Sequence, residues 1–208
     1  MIKNRILSSI IVYFGILSIM SLLGIFVEFN PHSKAVINLL LFPILLSVVL
    51  FLSKEELKFS PFSKKKSSFS KSILVVIVGF IMLIIGTNFI TQLKEILGVS
   101  LSNSNTNNLI KALPIVATVS VVIAPILEEV VFRRHIQSFF YKKTNAMISI
   151  ILTSIVFATW HFTLIGFPNL FLSSLIFSTC YYVTNRLSVP IIIHILLNSI
   201  AALGSFFA

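Results

Sequence analysis

Glu128 and Glu129 are adjacent, lie in an otherwise apolar stretch, and are followed by Arg133 four residues after Glu129. His161 stands in a long uncharged segment, and His194 is followed four residues later by Asn198. Ionisable side chains at membrane depth are destabilising unless they are paired or face a cavity, so each is a candidate for chemistry. Residues four apart share a helix face. Glu129 can therefore pair with Arg133 along its own helix, whereas Glu128 points about 100° away and is left for other work. His194 and Asn198 share a face, and so do Phe157 and His161. Such a set can hydrolyse a peptide bond, which needs an activated water, a stabilised oxyanion and a protonated leaving amine. We assign Glu128 as general base, His161 as a second holder of the water, and His194 with Asn198 as donors to the oxyanion. Glu129 and Arg133 serve as structural support.

Taken singly, several of these residues have plainer readings. A lone histidine in an apolar helix is more often a packing residue, and a lone Asn198 would be interhelical glue. Two adjacent carboxylates in one span are much harder to explain by packing. His135, beside Arg134, and His32, in a turn, read as solvated, and Trp160 reads as packing beside the site or in an interfacial belt.

The elements that must position these residues follow from composition. Of the 208 residues 57% are hydrophobic and 11% charged, and the mean hydropathy is +1.04. An ordinary soluble domain carries roughly a quarter charged residues. Sixteen Lys and Arg against six acids would suggest nucleic acid in a soluble protein. In a membrane protein basic residues collect in cytoplasmic loops, so the excess reports topology and no nucleic-acid partner is expected. The single Cys180 excludes an intramolecular disulfide.

A spanning helix needs about 20 apolar residues. Ile6–Val27, Ala35–Ser53 and Ser72–Leu93 meet that length, separated by a polar Glu28–Lys34 turn and a Lys-rich Lys54–Lys71 loop. Leu101–Asn108 reads as a surface loop, after which Leu109 begins a fourth segment that carries Glu128 to Arg134. Thr144–Asn185 holds no charge and is long enough for two spans broken at Gly166-Phe167-Pro168-Asn169, a turn signal. Ser188–Ala208 supplies the seventh. The expectation is an all-α bundle of about seven spans in one membrane domain, 1–208, whose partner is the lipid bilayer. The first segment is read as a retained helix and not a signal peptide, because it is long and no small-residue cleavage site follows.

With the amino terminus cytoplasmic, thirteen of the sixteen basic residues fall on that side, leaving Lys34, Lys94 and Lys111 outside. Glu128 and His161 are each about 16 residues from the Lys142–Asn145 turn, so a helical hairpin brings them level. Arg133 and Arg134 would then snorkel into the headgroups. His194 is eight residues past Arg186, which sets the three helices to share one site roughly 10 Å below the cytoplasmic face. Pro125 and Pro190 should each remove a backbone hydrogen bond near the polar residues, a break tolerated where backbone lines a cavity.

Glu128-Glu129-Val130-Val131-Phe132-Arg133 resembles the EExxxR motif, Phe157-Ala158-Thr159-Trp160-His161 the FxxxH motif, and His194-Ile195-Leu196-Leu197-Asn198 the HxxxN motif of the CPBP family. That family comprises CaaX proteases and bacteriocin-processing enzymes, also called Abi proteins. The three motifs occur in the expected order and cover 109–208. The resemblance implies an intramembrane endopeptidase in which the first Glu and the two His are essential. It also admits a bacteriocin self-immunity protein that binds a peptide or membrane target without cleaving it. A proton-coupled transporter, a third class, is disfavoured by the lack of an internal repeat.

The family is often labelled a metalloprotease, and Glu128, His161 and His194 match in kind a two-His, one-Glu zinc set. The chain lacks HExxH, and were Glu128 a ligand another base would be needed, so the expectation is no cofactor and no metal. Codon-driven richness in Lys, Ile, Asn and Phe suggests an AT-rich bacterial genome, hence a multi-pass protein of a bacterial plasma membrane. Its substrate is then expected to be a peptide or membrane protein, such as a bacteriocin leader or signalling peptide.

Overall fold

Apolar runs this long cannot leave backbone N–H and C=O groups facing lipid, and a helix satisfies them within the segment. The structure, a computed structural model, describes residues 2–27, 29–62, 65–99 and 114–207, and among these the regular structure is helical with no strand. The expected Leu101–Asn108 loop and the Leu109 start of the fourth segment lie outside the described residues. The helices are α1 (Ile2–Phe26), α2 (Pro31–Ser53), α3 (Phe69–Ile96), α4 (Ala124–Glu129), α5 (Ser138–Lys143), α6 (Ala146–Trp160), α7 (Phe167–Thr184) and α8 (Ser188–Phe207). A π-helical segment, Val119–Ile123, leads into α4, and a second, Val130–Gln137, joins α4 to α5. Residues 117–143 thus form one helical run, and the described chain has the expected seven helical segments. Three of them, Arg5–Gly24, Pro31–Ser53 and Phe69–Ile96, are long and apolar enough to cross a membrane.

Local chemistry sets the ends. Asn30 caps α2 by accepting from the Ser33 N–H at 2.8 Å, with Pro31 in the first turn, so His32 is on an exposed helix start. Ser68 caps α3 and Asn145 caps α6 in the same way. Asn185, left-handed at φ 53°, ends α7.

The expected break at 166–169 falls earlier. α6 stops at Trp160, because Phe162 takes a left-handed conformation at φ 49°. At 15 residues α6 is about 22 Å long, short of the roughly 30 Å hydrocarbon core. Pro190 also differs from expectation: it lies in the first turn of α8, where backbone N–H groups have no intrahelical partner, so it removes no hydrogen bond.

The chain forms two compact units. One contains Met1–Phe59, Asn103–Val131 and Asn198–Ala208, and the other Ser60–Ser102 and Phe132–Leu197. In the first, α1 packs on α2, burying Tyr13, Ala35, Leu45 and Val49. In the second, α7 packs on both α6 and α3 around Leu83, Ile176, Phe177, Cys180, Val189 and Ile193. The α3–α7 crossing is close because Gly79 and Gly86 face it. A Cβ at Gly79 would lie 2.8 Å from Cys180 Sγ, and one at Gly86 2.5 Å from Leu172 Cδ2.

The chain before α3 is fastened to this second unit. Phe62 is buried with its ring 5.0, 5.0 and 5.1 Å from those of Tyr141, Tyr181 and Tyr182. Asn185 Nδ2 donates to Ser60 Oγ. The Ser67 N–H donates to Thr184 O at 2.9 Å, and Arg186 Nε donates to Ser67 O at 2.8 Å.

Candidate active site

In the second unit the site is built around Arg133, whose side chain has no solvent exposure. Its Nη2 donates to Ser174 Oγ at 3.1 Å. One turn on, Gln137 Nε2 donates to Ser178 O at 3.0 Å, with the same sequence offset. Two rungs of equal offset require α7 to run parallel to the 130–143 helix, so both are antiparallel to α6 between them in sequence. The guanidinium carbon lies 4.8 Å from the Phe157 ring centre and 5.2 Å from that of Phe177. A desolvated cation over an aromatic ring is worth about 2 kcal/mol.

The same two rings hold the histidines. His194 stacks on Phe177 at 4.7 Å and 23°, and meets Phe157 edge-on at 6.4 Å. His161 lies 4.6 Å from Phe157. Because α6 ends at Trp160, its last four carbonyls lack helical donors, and His161 Nδ1 reaches one of them, Phe157 O, at 2.8 Å. A carbonyl only accepts, so Nδ1 carries a proton, and the neutral form of a ring held this way has its lone pair at Nε2. That is the tautomer needed to accept a hydrogen bond from water. Phe132 packs edge-on against Phe157 at 4.9 Å.

In the first unit, Glu129 is fully buried and Glu128 is half-buried. The two carboxylates thus differ in access to solvent, in the sense read from their 100° separation. Asn198 Nδ2 donates to Ser120 O at 2.8 Å, and the π segment explains why. There each N–H reaches the carbonyl five residues back, as Ala124 N–H does to Val119 O. The next donor in that register is Pro125, which has no N–H. Asn198 supplies the missing hydrogen bond three residues before Glu128. One of its two amide hydrogens is therefore committed to holding the helix that carries Glu128.

This yields a test by thermal unfolding. Asn198→Ala should cost about 1–3 kcal/mol by leaving Ser120 O unsatisfied. In a Pro125→Ala background, which restores a backbone N–H, the loss should shrink by about 1 kcal/mol or more. Strict additivity would refute the compensation.

The structure corrects two expectations. Arg133 and Arg134 do not snorkel to the headgroups; they are 0% and 5% exposed. Arg133 is enclosed by Phe157, Phe177 and Ser174, and Arg134 hydrogen-bonds Tyr181. His135 is not solvated but 2% exposed, because every residue from Val130 to Ser138 is buried. Trp160 is half-buried, its ring 5.5 Å from Phe162. Sequence reasoning missed Ser174, Phe177 and Gln137; the repeated spacing of Arg133 with Gln137 and Ser174 with Ser178 is the only signal that pointed to them.

Among the described residues no three His, Cys, Asp or Glu side chains are grouped to hold a metal ion.

The helical fold, its membrane-length apolar helices and these motifs are similar to those of a class, the membrane peptidases. Residues 110–200 match the family model described as Rce1-like, type II CAAX prenyl endopeptidase Rce1-like. The chain is 28% identical over 180 residues to the putative membrane peptidase YdiL of Bacillus subtilis (strain 168), covering 81% of this chain and 70% of that protein. It is 35% identical over 132 residues to the membrane-embedded CAAX protease MroQ of Staphylococcus aureus (strain USA300), covering 59% of this chain and 53% of that one. No solved structure matches. The family model, over 110–200, and both relatives support the resemblance of this chain to the CPBP family of intramembrane proteases.

Proposed function

We propose that the chain is an endopeptidase in which Glu128 takes a proton from water, the water attacks the peptide carbonyl, and the proton passes to the leaving amine. His161 Nε2 holds the same water, and His194 with Asn198 stabilises the oxyanion. The observation that carries this reading is the His161 ring: its Nδ1–H is tied to Phe157 O, which leaves the lone pair on Nε2 for water. Register supports the pairing with Glu128. Glu128 and His161 are each about 16 residues from the Lys142–Asn145 turn in the sequence, the separation at which a helical hairpin brings them level. The reaction as proposed needs no metal. Arg133 acts as a positioning residue, since the two rings it holds also hold the histidines.

We propose further that the site opens to the cytoplasm of a bacterial cell, on the side bearing thirteen of the sixteen basic residues. The substrate class is an apolar peptide or membrane-protein segment. Both parts are tested with purified chain in vesicles. New peptide termini are expected with apolar peptides, and cysteines placed within 54–71 should label only from the cytoplasmic side. Labelling from the opposite side would overturn the orientation. A folded chain that binds such peptides and cuts none would leave the self-immunity reading in its place.

A further inference from the structure

Between α3 and α7 runs an open apolar groove of about 600 Å³, walled by Leu74, Val78 and Met82 on one side and Leu172, Thr179 and Val183 on the other. Its rims face outward: Leu74, Val78, Met82 and Val183 are 60%, 46%, 58% and 40% exposed. In a membrane protein such a surface meets lipid. The groove has a direction, because its two ends differ in charge. Lys71 is exposed and stands on the same helical stripe as Val75, Val78 and Met82, one turn beyond the groove. Arg186, three residues past Val183, is tied by its Nε to Ser67 O just before α3, and Lys65 and Lys66, both exposed, precede Ser67. The only acid in this unit, Glu95, stands beside Lys94 near the other end of α3, which carries no net charge and lies about 36 Å from Lys71 at 1.5 Å per residue.

Length narrows the occupant. From Leu74 to Met82 the groove extends about 12 Å, close to the roughly 15 Å hydrocarbon depth of one leaflet. An apolar slot one leaflet deep, with cations at one mouth, matches an acyl chain joined to an anionic headgroup. We propose that the α3–α7 groove is a binding site for one anionic phospholipid, its acyl chain along Val78 and Met82 and its phosphate between Lys71 and Arg186. Arg186 would then link the lipid to the Ser67–Thr184 fastening of the chain before α3.

The test uses brominated lipids, which quench tryptophan at contact. Val78→Trp in a Trp160→Phe background makes the groove the only reporter, in vesicles mixing phosphatidylglycerol with phosphatidylcholine. Brominated phosphatidylglycerol is expected to compete for the groove about fivefold or more better than brominated phosphatidylcholine, with about fivefold lost in Lys71→Gln. A further loss is expected with Arg186→Gln, which can still donate to Ser67 O. Equal quenching by the two lipids would overturn the site in favour of a general lipid annulus. Absence of quenching by either would overturn it in favour of a protein or peptide cover. Native mass spectrometry of the unmodified chain is the second readout: retained phosphatidylglycerol should fall in Lys71→Gln, and unchanged retention would equally overturn the proposal.

Discussion

Glu128→Gln is expected to lower peptide cleavage by about 10²–10⁴-fold while the protein accumulates and melts as the parent does. The amide keeps the shape of the carboxylate and cannot take a proton from water, and a half-buried position tolerates the exchange. Glu129→Gln should behave differently. Glu129 has no solvent exposure, so exchanging its carboxyl for an amide disturbs a packed interior and should lower the melting temperature. The pair of variants separates chemistry from fold at adjacent positions. Normal cleavage by Glu128→Gln, or a matching loss of stability in both, would remove Glu128 from the role of base.

The second large effect is expected at Arg133. Arg133→Ala removes the group enclosed by Phe157, Phe177 and Ser174, and breaking a buried charged contact of this kind costs about 3–5 kcal/mol. For a chain of this size the midpoint should fall by roughly 10 °C. Arg133→Lys should recover only part of the loss, because an ammonium lacks the planar face that lies against two rings. Because those rings also hold His161 and His194, a folded Arg133→Lys protein should show reduced turnover with a shifted pH profile, a change that a purely structural role would not produce. A Lys variant with the parent's stability and pH profile would contradict the positioning role.

Much of this was readable from sequence, and the part that was not has identifiable causes. The seven helical segments follow from apolar length and from the Asn30, Ser68 and Asn145 caps. Glu128 and Glu129 differ in burial as their adjacency on a helix requires. The early end of α6 was not readable, since a left-handed conformation at an aromatic residue such as Phe162 runs against its intrinsic preference. The burial of Arg133 and Arg134 was misread because snorkelling treats each side chain alone, whereas Ser174 and Phe177 lie 41 and 44 residues away in the chain. The π segments leave no direct trace in composition. Pro125 is the one hint of the first, and its link to Asn198 emerges only when the carbonyl it leaves unpaired, Ser120 O, is followed to its donor.

The most direct measurement of the central claim is a single turnover in ¹⁸O-labelled water, using purified chain treated with a strong chelator and excess enzyme over peptide. If Glu128 acts on water without a metal, cleavage persists after chelation and the new carboxyl terminus carries ¹⁸O in that first turnover. An unlabelled terminus would mean that a protein oxygen attacks the peptide, and activity that is lost on chelation and restored by zinc would mean that a metal activates the water; either result contradicts the account.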